Sequence, residues 1–190
     1  MSRTTFIILM SSIAVLAFAG MWIAWRGRTR RDAAFASATP QPELTGAPLA
    51  HFPRASYVST TPAGAPLERV AIPGLRYKGY AEVTVHGDGV TIAVTGEAPV
   101  TIPASQIIGS GAAGGRIGKA VEPGGLSLLR WALPAPGSDA RELESSFRLA
   151  DPAEQARFAE AVAAVSQHRT SGSAAGTQTN TTHPTIQEEA

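Results

Sequence analysis

Apolar and polar positions divide the chain into distinct patterns. From Phe6 to Trp25 twenty consecutive residues carry no charge, FIILMSSIAVLAFAGMWIAW. At 1.5 Å per residue this run predicts a helix about 30 Å long, the thickness of a bilayer's hydrocarbon core. After Tyr57 the period falls to two. Tyr80–His86 and Val90–Thr95 alternate apolar with polar and meet at Gly87-Asp88-Gly89, which predicts a hairpin. Val83 and Val85 fall on one face, as do Val90, Ile92 and Val94 on the next strand. Gly96–Pro99 predicts a turn and Val100–Ile102 a short strand, stopped by Pro103, which cannot continue a central ladder. Further strands are expected at Leu67–Ile72, Ile117–Val121, Leu126–Leu133 and Glu142–Leu149, with Pro134–Asp139 as an exposed loop.

The period then changes to that of a helix. Asp151 suits the N-cap, Pro152 the first helical position, and Glu154 completes a capping box. Phe158, Val162 and Val165 stand at i, i+4 and i+7 on a helix expected to reach about Gln167. Such a stripe has to pack on the sheet. The fold expected is mainly β, an antiparallel barrel or sandwich of about seven strands capped by a C-terminal helix.

The first run predicts a transmembrane helix over residues 4–25. Trp22 and Trp25 fall where amphipathic rings favour the headgroup layer, and Arg26, Arg28, Arg30 and Arg31 follow, against a single Arg3 before the span. That asymmetry predicts a single-pass protein of the inner membrane, with its N-terminus outside and its domain in the cytoplasm. A cleaved signal peptide is the competing reading, with Ala17-Phe18-Ala19 as its cleavage site. Apolar sequence continuing to Trp25 and the arginines behind it argue against that, and the same border argues against a buried core helix. The arginines act first as a topology signal, and they also suit anionic lipid.

Residues 26–53 read as a basic flank and a Pro/Ala-rich spacer, with Pro40, Pro42, Pro48 and Pro53 along it. Residues 54–168 are the expected domain, and 169–190, poor in apolar residues, the expected disordered tail. Charged residues make up only 16% of the chain and its net charge is +1, so nothing global calls for nucleic acid. The 19 glycines and 14 prolines favour short strands and turns over a helical bundle. With no cysteine, disulfides, thiolate nucleophiles and zinc–thiolate sites are excluded together.

Tyr57–Val70 (YVSTTPAGAPLERV), Gly74-Leu75, Val121–Leu126 (VEPGGL) and Asp151-Pro152 resemble a family of actinobacterial membrane proteins, described as transporter-like, export or membrane proteins of unknown function. Its members have one N-terminal span followed by a cytosolic pleckstrin-homology-like domain. The resemblance implies two packed antiparallel sheets of seven strands with a C-terminal helix, and it carries over no catalytic residue. Arg69, Arg76 and Lys78 stand near the place where eukaryotic domains of that fold cluster basic residues. They are the candidate ligand surface, weighed against solvated strand-edge charges. Phosphoinositide binding does not follow from the fold name.

Motifs for chemistry fail on context. Gly109–Gly114 matches GxGxxG, but the following glycines and Pro123 interrupt the helix a dinucleotide site needs, so a flexible inter-strand loop is expected. Gly118-Lys119-Ala120 lacks the preceding glycine and the hydroxyl of a phosphate loop. His51, His86, His168 and His183 have no metal-ligand spacing, and no serine sits in a nucleophile-elbow context. The expectation is a non-catalytic binding or scaffold module at the inner membrane face, without cofactor or metal. Its partners would be membrane lipid through the helix, a protein, and no nucleic acid. The alternative is an accessory subunit of a transport or envelope complex acting through its span.

Overall fold

A computed structural model describes the backbone of residues 3–37, 43–135 and 138–175; the side chains of 25, 28–37, 135, 138–139 and 168–175 lie outside the described ones. Helix α1 runs Arg3–Ser37, so the helix continues through the arginines where a spacer was expected from residue 26. Its Arg3–Ala24 stretch is long and apolar enough to cross a membrane, with a mean hydropathy of 2.3, and none of that stretch is buried against the protein.

The strands are β1 Pro48–Pro62, β2 Gly79–His86, β3 Gly89–Val94, β4 Val100–Pro103, β5 Ile107–Ala113, β6 Gly115–Arg116, β7 Lys119–Ala120, β8 Leu126–Ala135 and β9 Ser138–Arg148. Seven of them form one antiparallel sheet in the order β4-β3-β2-β1-β9-β8-β5, while β6 and β7 make a separate miniature hairpin. Strand β1 joins the two halves. Its first part pairs with β2, from Pro48 opposite His86 to Tyr57 opposite Gly79. Its second part pairs with β9, from Ser56 opposite Arg148 to Pro62 opposite Leu143. The partner changes at Ser56–Tyr57, so one continuous sheet of seven strands stands where the resemblance implied two packed sheets, and both its halves feed one core.

Helix α2, Pro152–Ala175, closes the open side and extends past the expected end at Gln167. The first half of the expected capping box forms, with Asp151 Oδ1 accepting from the Glu154 amide at 2.8 Å, while Glu154 Oε2 reaches one residue past the cap and accepts from the Ala150 amide at 3.0 Å. Phe158, Val162 and Val165 are fully buried, and the Phe158 ring meets Phe52 edge-on at 5.7 Å and Phe147 at 5.9 Å. Burying a phenylalanine is worth about 1.5–3 kcal/mol, so this stripe fixes the helix to the sheet. The core it completes takes Val83, Val85, Val90, Ile92 and Ile102 from one half, and Leu129, Trp131, Leu143 and Phe147 from the other.

Two expected strands and two expected loops differ from the structure. Leu67–Ile72 lies in the loop between β1 and β2, because its backbone is occupied by turns such as Glu68 N to Ala65 O. Ile117–Val121 contributes only the two-residue strand β7. The glycine-rich run expected as a loop is instead strand β5, whose Ile107–Ala113 pair along β8 from Trp131 to Leu126. Strand β1 has no counterpart among the expected strands: it begins at Pro48, inside the expected spacer, and two bulges, one beside Pro53, break the alternation that would have marked it. The expected loop Pro134–Asp139 is taken up by strand at both ends, since β8 runs to Ala135 and β9 starts at Ser138 opposite it; residues 136–137 lie outside the described residues, as do 176–190 of the expected tail, while 169–175 continue α2.

Candidate functional site

The loop between β1 and β2 is held from beneath by a buried chain of hydrogen bonds. Tyr57 donates its phenolic proton to the carbonyl oxygen of Leu75 at 2.9 Å. Its oxygen lies 2.9 Å from Thr60 Oγ1, which lies 2.8 Å from Ser145 Oγ, which accepts from Trp131 Nε1 at 3.0 Å. An indole only donates and a carbonyl only accepts, so both ends of the chain are fixed. Every hydroxyl between them then points the same way, from Trp131 through Ser145 and Thr60 to Tyr57 and Leu75. Burial, only partly offset by the bond from Thr60 and the nearby charge of Arg69, pushes the Tyr57 phenol up to about 12.

Above Leu75 come Arg76, Tyr77 and Lys78, all exposed. Arg69 folds back to hold them. It donates from Nη1 to the carbonyl of Arg76 at 3.1 Å and from Nη2 to the carbonyl of Val58 at 3.0 Å. Of the three basic residues singled out in the sequence, Arg69 thus shapes the loop, while Arg76 and Lys78 present their charge to solvent.

The opposite wall comes from the arm between β5 and β8, residues 114–125. Two ion pairs tie this arm to strand β9, Arg116 with Glu144 at 2.5 Å and Arg148 with Glu122 at 2.8 Å. The bond from Arg148 holds the Glu122 carboxyl below the usual carboxylate range. The Ile117 amide donates to the Pro66 carbonyl at 3.0 Å, which ties the arm to the β1–β2 loop. Gly118 takes φ +85° at the tip, a conformation glycine supplies without strain, and aims Lys119 outward.

Loop and arm enclose a groove of about 450 Å³, lined by Ser56, Tyr57, Val58, Lys78, Gly79, Tyr80, Gly118 and Lys119. Its floor is the stretch of β1 where the strand changes partner. The lining carries two lysines and no acid. Tyr80, 62% exposed, stands at the rim with the Arg54 guanidinium 5.6 Å from its ring centre. Lysines that line one concave surface give a positive potential that favours an anionic group.

The sequence missed Lys119, Tyr80 and Arg54 as members of this site. Lys119 stands out in sequence only within a failed phosphate-loop pattern, and no local signal links it to Lys78. The membrane-flank residues sit on α1: Trp22 and Arg26 are exposed, while the side chains of Trp25, Arg28, Arg30 and Arg31 lie outside the described ones. His51 Nε2 meets Glu82 Oε1 at 3.0 Å on the exposed face of the sheet. Among the described residues no group of three His, Asp or Glu is placed to hold a metal ion.

A family model described as "Bacterial PH domain-like" matches residues 35–163, and the chain belongs to that family. No curated protein matches the chain. A chain of the solved structure "The 8S snRNP Assembly Intermediate" is 13% identical with a TM-score of 0.42, over 68% of this chain and 87% of that one. So distant a likeness says nothing about ligands.

Proposed function

We propose that the protein is a membrane-tethered, non-catalytic binding module whose PH-like domain works at the inner face of the membrane and takes an anionic group into the groove between loop and arm. One observation carries the reading: Lys78 and Lys119, from separate segments of the chain, line one groove that no acid shares. The candidate span Arg3–Ala24 supports the tether, and the arginines behind it support an orientation with the domain in the cytoplasm. Tethering raises the effective concentration of a membrane-borne ligand, so a weak groove suffices. Exposed Tyr77 and Tyr80 beside the lysines suit a headgroup layer.

The test is co-sedimentation of the full chain, held in neutral nanodiscs, with free vesicles that are either neutral or anionic. Salt-sensitive capture by anionic vesicles, abolished by Lys78→Glu with Lys119→Glu, is the expected result. Capture that ignores these substitutions, or no capture at all, would overturn the anionic reading and leave a protein partner.

A second reading, an accessory subunit acting through its span, is favoured by α1 itself. Its apolar side chains, from Phe6 to Ile23, are open to contact. Gly20 and Ala24 lie one turn apart and would allow a partner helix close approach. Replacing the span with an unrelated one should abolish function if this reading holds.

A further inference from the structure

The segment that leads from the anchor helix into the domain, residues 43–47, is built onto the β2–β3 turn. Asp88, at the tip of that turn, accepts the amides of Thr45 and Gly46 on its Oδ2, both at 2.8 Å. The Gly87 amide donates to the Ala47 carbonyl at 3.1 Å. His86 Nδ1 lies 3.1 Å from the Gly46 carbonyl and must carry the proton there, since a carbonyl only accepts. Leu44 lies over Gly89, where an added Cβ would stand 2.8 Å from the leucine Cδ2 and 2.5 Å from the Ile102 carbonyl oxygen. At Gly46 an added Cβ would collide with Asp88 itself. Gly46 is therefore demanded by the contact, whereas Gly89 is demanded first by the β4 backbone and only then by Leu44.

The two sides of this contact differ in rigidity. The turn is held from behind: the Asp88 carbonyl accepts the Ala104 amide at 2.8 Å, and β2 and β3 pair through His86 and Gly89. It is preformed. The segment has no such support. Glu43, Thr45 and Ala47 are exposed and only Leu44 offers a side chain of any apolar size. Asp88 Oδ1 is shielded from solvent and has no protein donor among the described residues, so it regains water when the segment leaves. Few apolar contacts and exposed backbone bonds mark the low-stability end of a fold.

We propose that the β2–β3 turn is a releasable docking site for the chain's own juxtamembrane segment, Glu43–Ala47, and that its occupancy sets how far the domain stands from its anchor. Release frees five residues, about 17 Å of added reach at the extended-chain limit. The groove lies farther along β1, at Ser56–Val58, whereas the docking site holds the chain just before Pro48. Docking thus pins the tether to one end of the domain and keeps the groove some 25–30 Å along the strand from it, at about 3.3 Å per residue. The membrane meaning of that spacing rests on the tethered-module reading. The docking contact does not.

The test uses the full chain in nanodiscs and two readouts. Amide hydrogen exchange at Thr45 and Gly46 should be slow in the native chain, and at least tenfold faster in Asp88→Ala and in Gly46→Ala, with Val83 and Val85 unchanged as a check on the fold. Since the chain has no cysteine, spin labels at Ile23→Cys and Thr95→Cys report the distance from anchor to domain, which should lengthen and broaden in both variants. Fast exchange at Thr45 and Gly46 in the native chain would overturn the proposal, as would slow exchange in both variants or an unchanged distance distribution. If the chain proved not to reside in membranes, the exchange result would still stand, which separates failure of this proposal from failure of the tether.

Discussion

Tyr57 reaches across 18 residues of sequence to hydrogen-bond the backbone of Leu75, and through that bond the interior of the sheet positions a surface loop. Leu75 is fully buried, and the next three residues carry exposed charge and an aromatic ring. Replacing Tyr57 with Phe would leave the Leu75 carbonyl and the Thr60 hydroxyl short of a partner. The expected loss is about 1–3 kcal/mol of stability in urea denaturation. Faster amide exchange over Arg76–Lys78 should accompany it, and weaker capture by anionic vesicles.

The same hydroxyl makes stability fall in alkali. The Tyr57 phenol is raised from 10.0 to about 12 in the folded state. A raised group stabilises the fold fully below the unfolded value, and that contribution is lost as pH rises through the folded one. Native chain should therefore lose on the order of 2–3 kcal/mol between pH 10 and 12 beyond what Tyr57→Phe loses. Denaturant midpoints for the two proteins across that window check it.

Because Ser145 stands between Trp131 and Thr60, removing it cuts the chain in the middle. Ser145→Ala and Tyr57→Phe should not be additive. A double-mutant cycle should give a coupling of about 0.5–3 kcal/mol, as groups in one network do. A coupling near zero would mean the bonds act singly.

For the groove, each lysine is expected to contribute about 1 kcal/mol of attraction near an anionic surface. Lys78→Ala and Lys119→Ala should each lower apparent affinity for anionic vesicles several-fold, and raised salt should shrink both effects. Arg69→Ala is expected to act differently. It loosens the loop, so faster exchange at Arg76 and Tyr77 should accompany its loss of binding.

Asp88 gives a prediction at acid pH. Partial burial opposes its ionisation, but the amides of Gly46 and Thr45 outweigh that and hold its carboxyl below the usual 3.8. A lowered group stabilises above its unfolded value and loses that contribution as pH falls through the folded one. Protection of the Thr45 and Gly46 amides should thus survive acidification to pH 3.8 and fail only below it. Exchange measured at Val83 along the same series separates this from unfolding.

What could be read from sequence was local. The β2–β3 hairpin announced itself because Gly87-Asp88-Gly89 interrupts two clean alternations. Helix α2 was legible because Asp151 accepts the Glu154 amide, Pro152 brings no amide that needs a partner, and one stripe satisfies its packing. Strand β1 was obscured because its bulges shift the alternation and because residues 57–61 are buried on both faces, polar side chains included. Strand β5 was obscured by its glycines, which pair along β8 all the same. Of the groove's lining only Lys78 was singled out in the sequence. Lys119 joins Lys78 in lining it through an arm whose ion pairs, Arg116 with Glu144 and Arg148 with Glu122, each join residues far apart in sequence.

The change of partner within β1 also sets an order of events during synthesis. The strand's first half can pair with β2 soon after it is made, but its second half must wait for β9, as Thr60 does for Ser145, 85 residues later. At 5–20 residues per second that wait lasts roughly 4–17 s. Throughout it, half of β1 is an unpaired edge attached to a helix fit to enter the bilayer. The sheet is therefore closed by its last strand, and a nascent chain stalled before residue 138 would hold its first strand open beside the membrane.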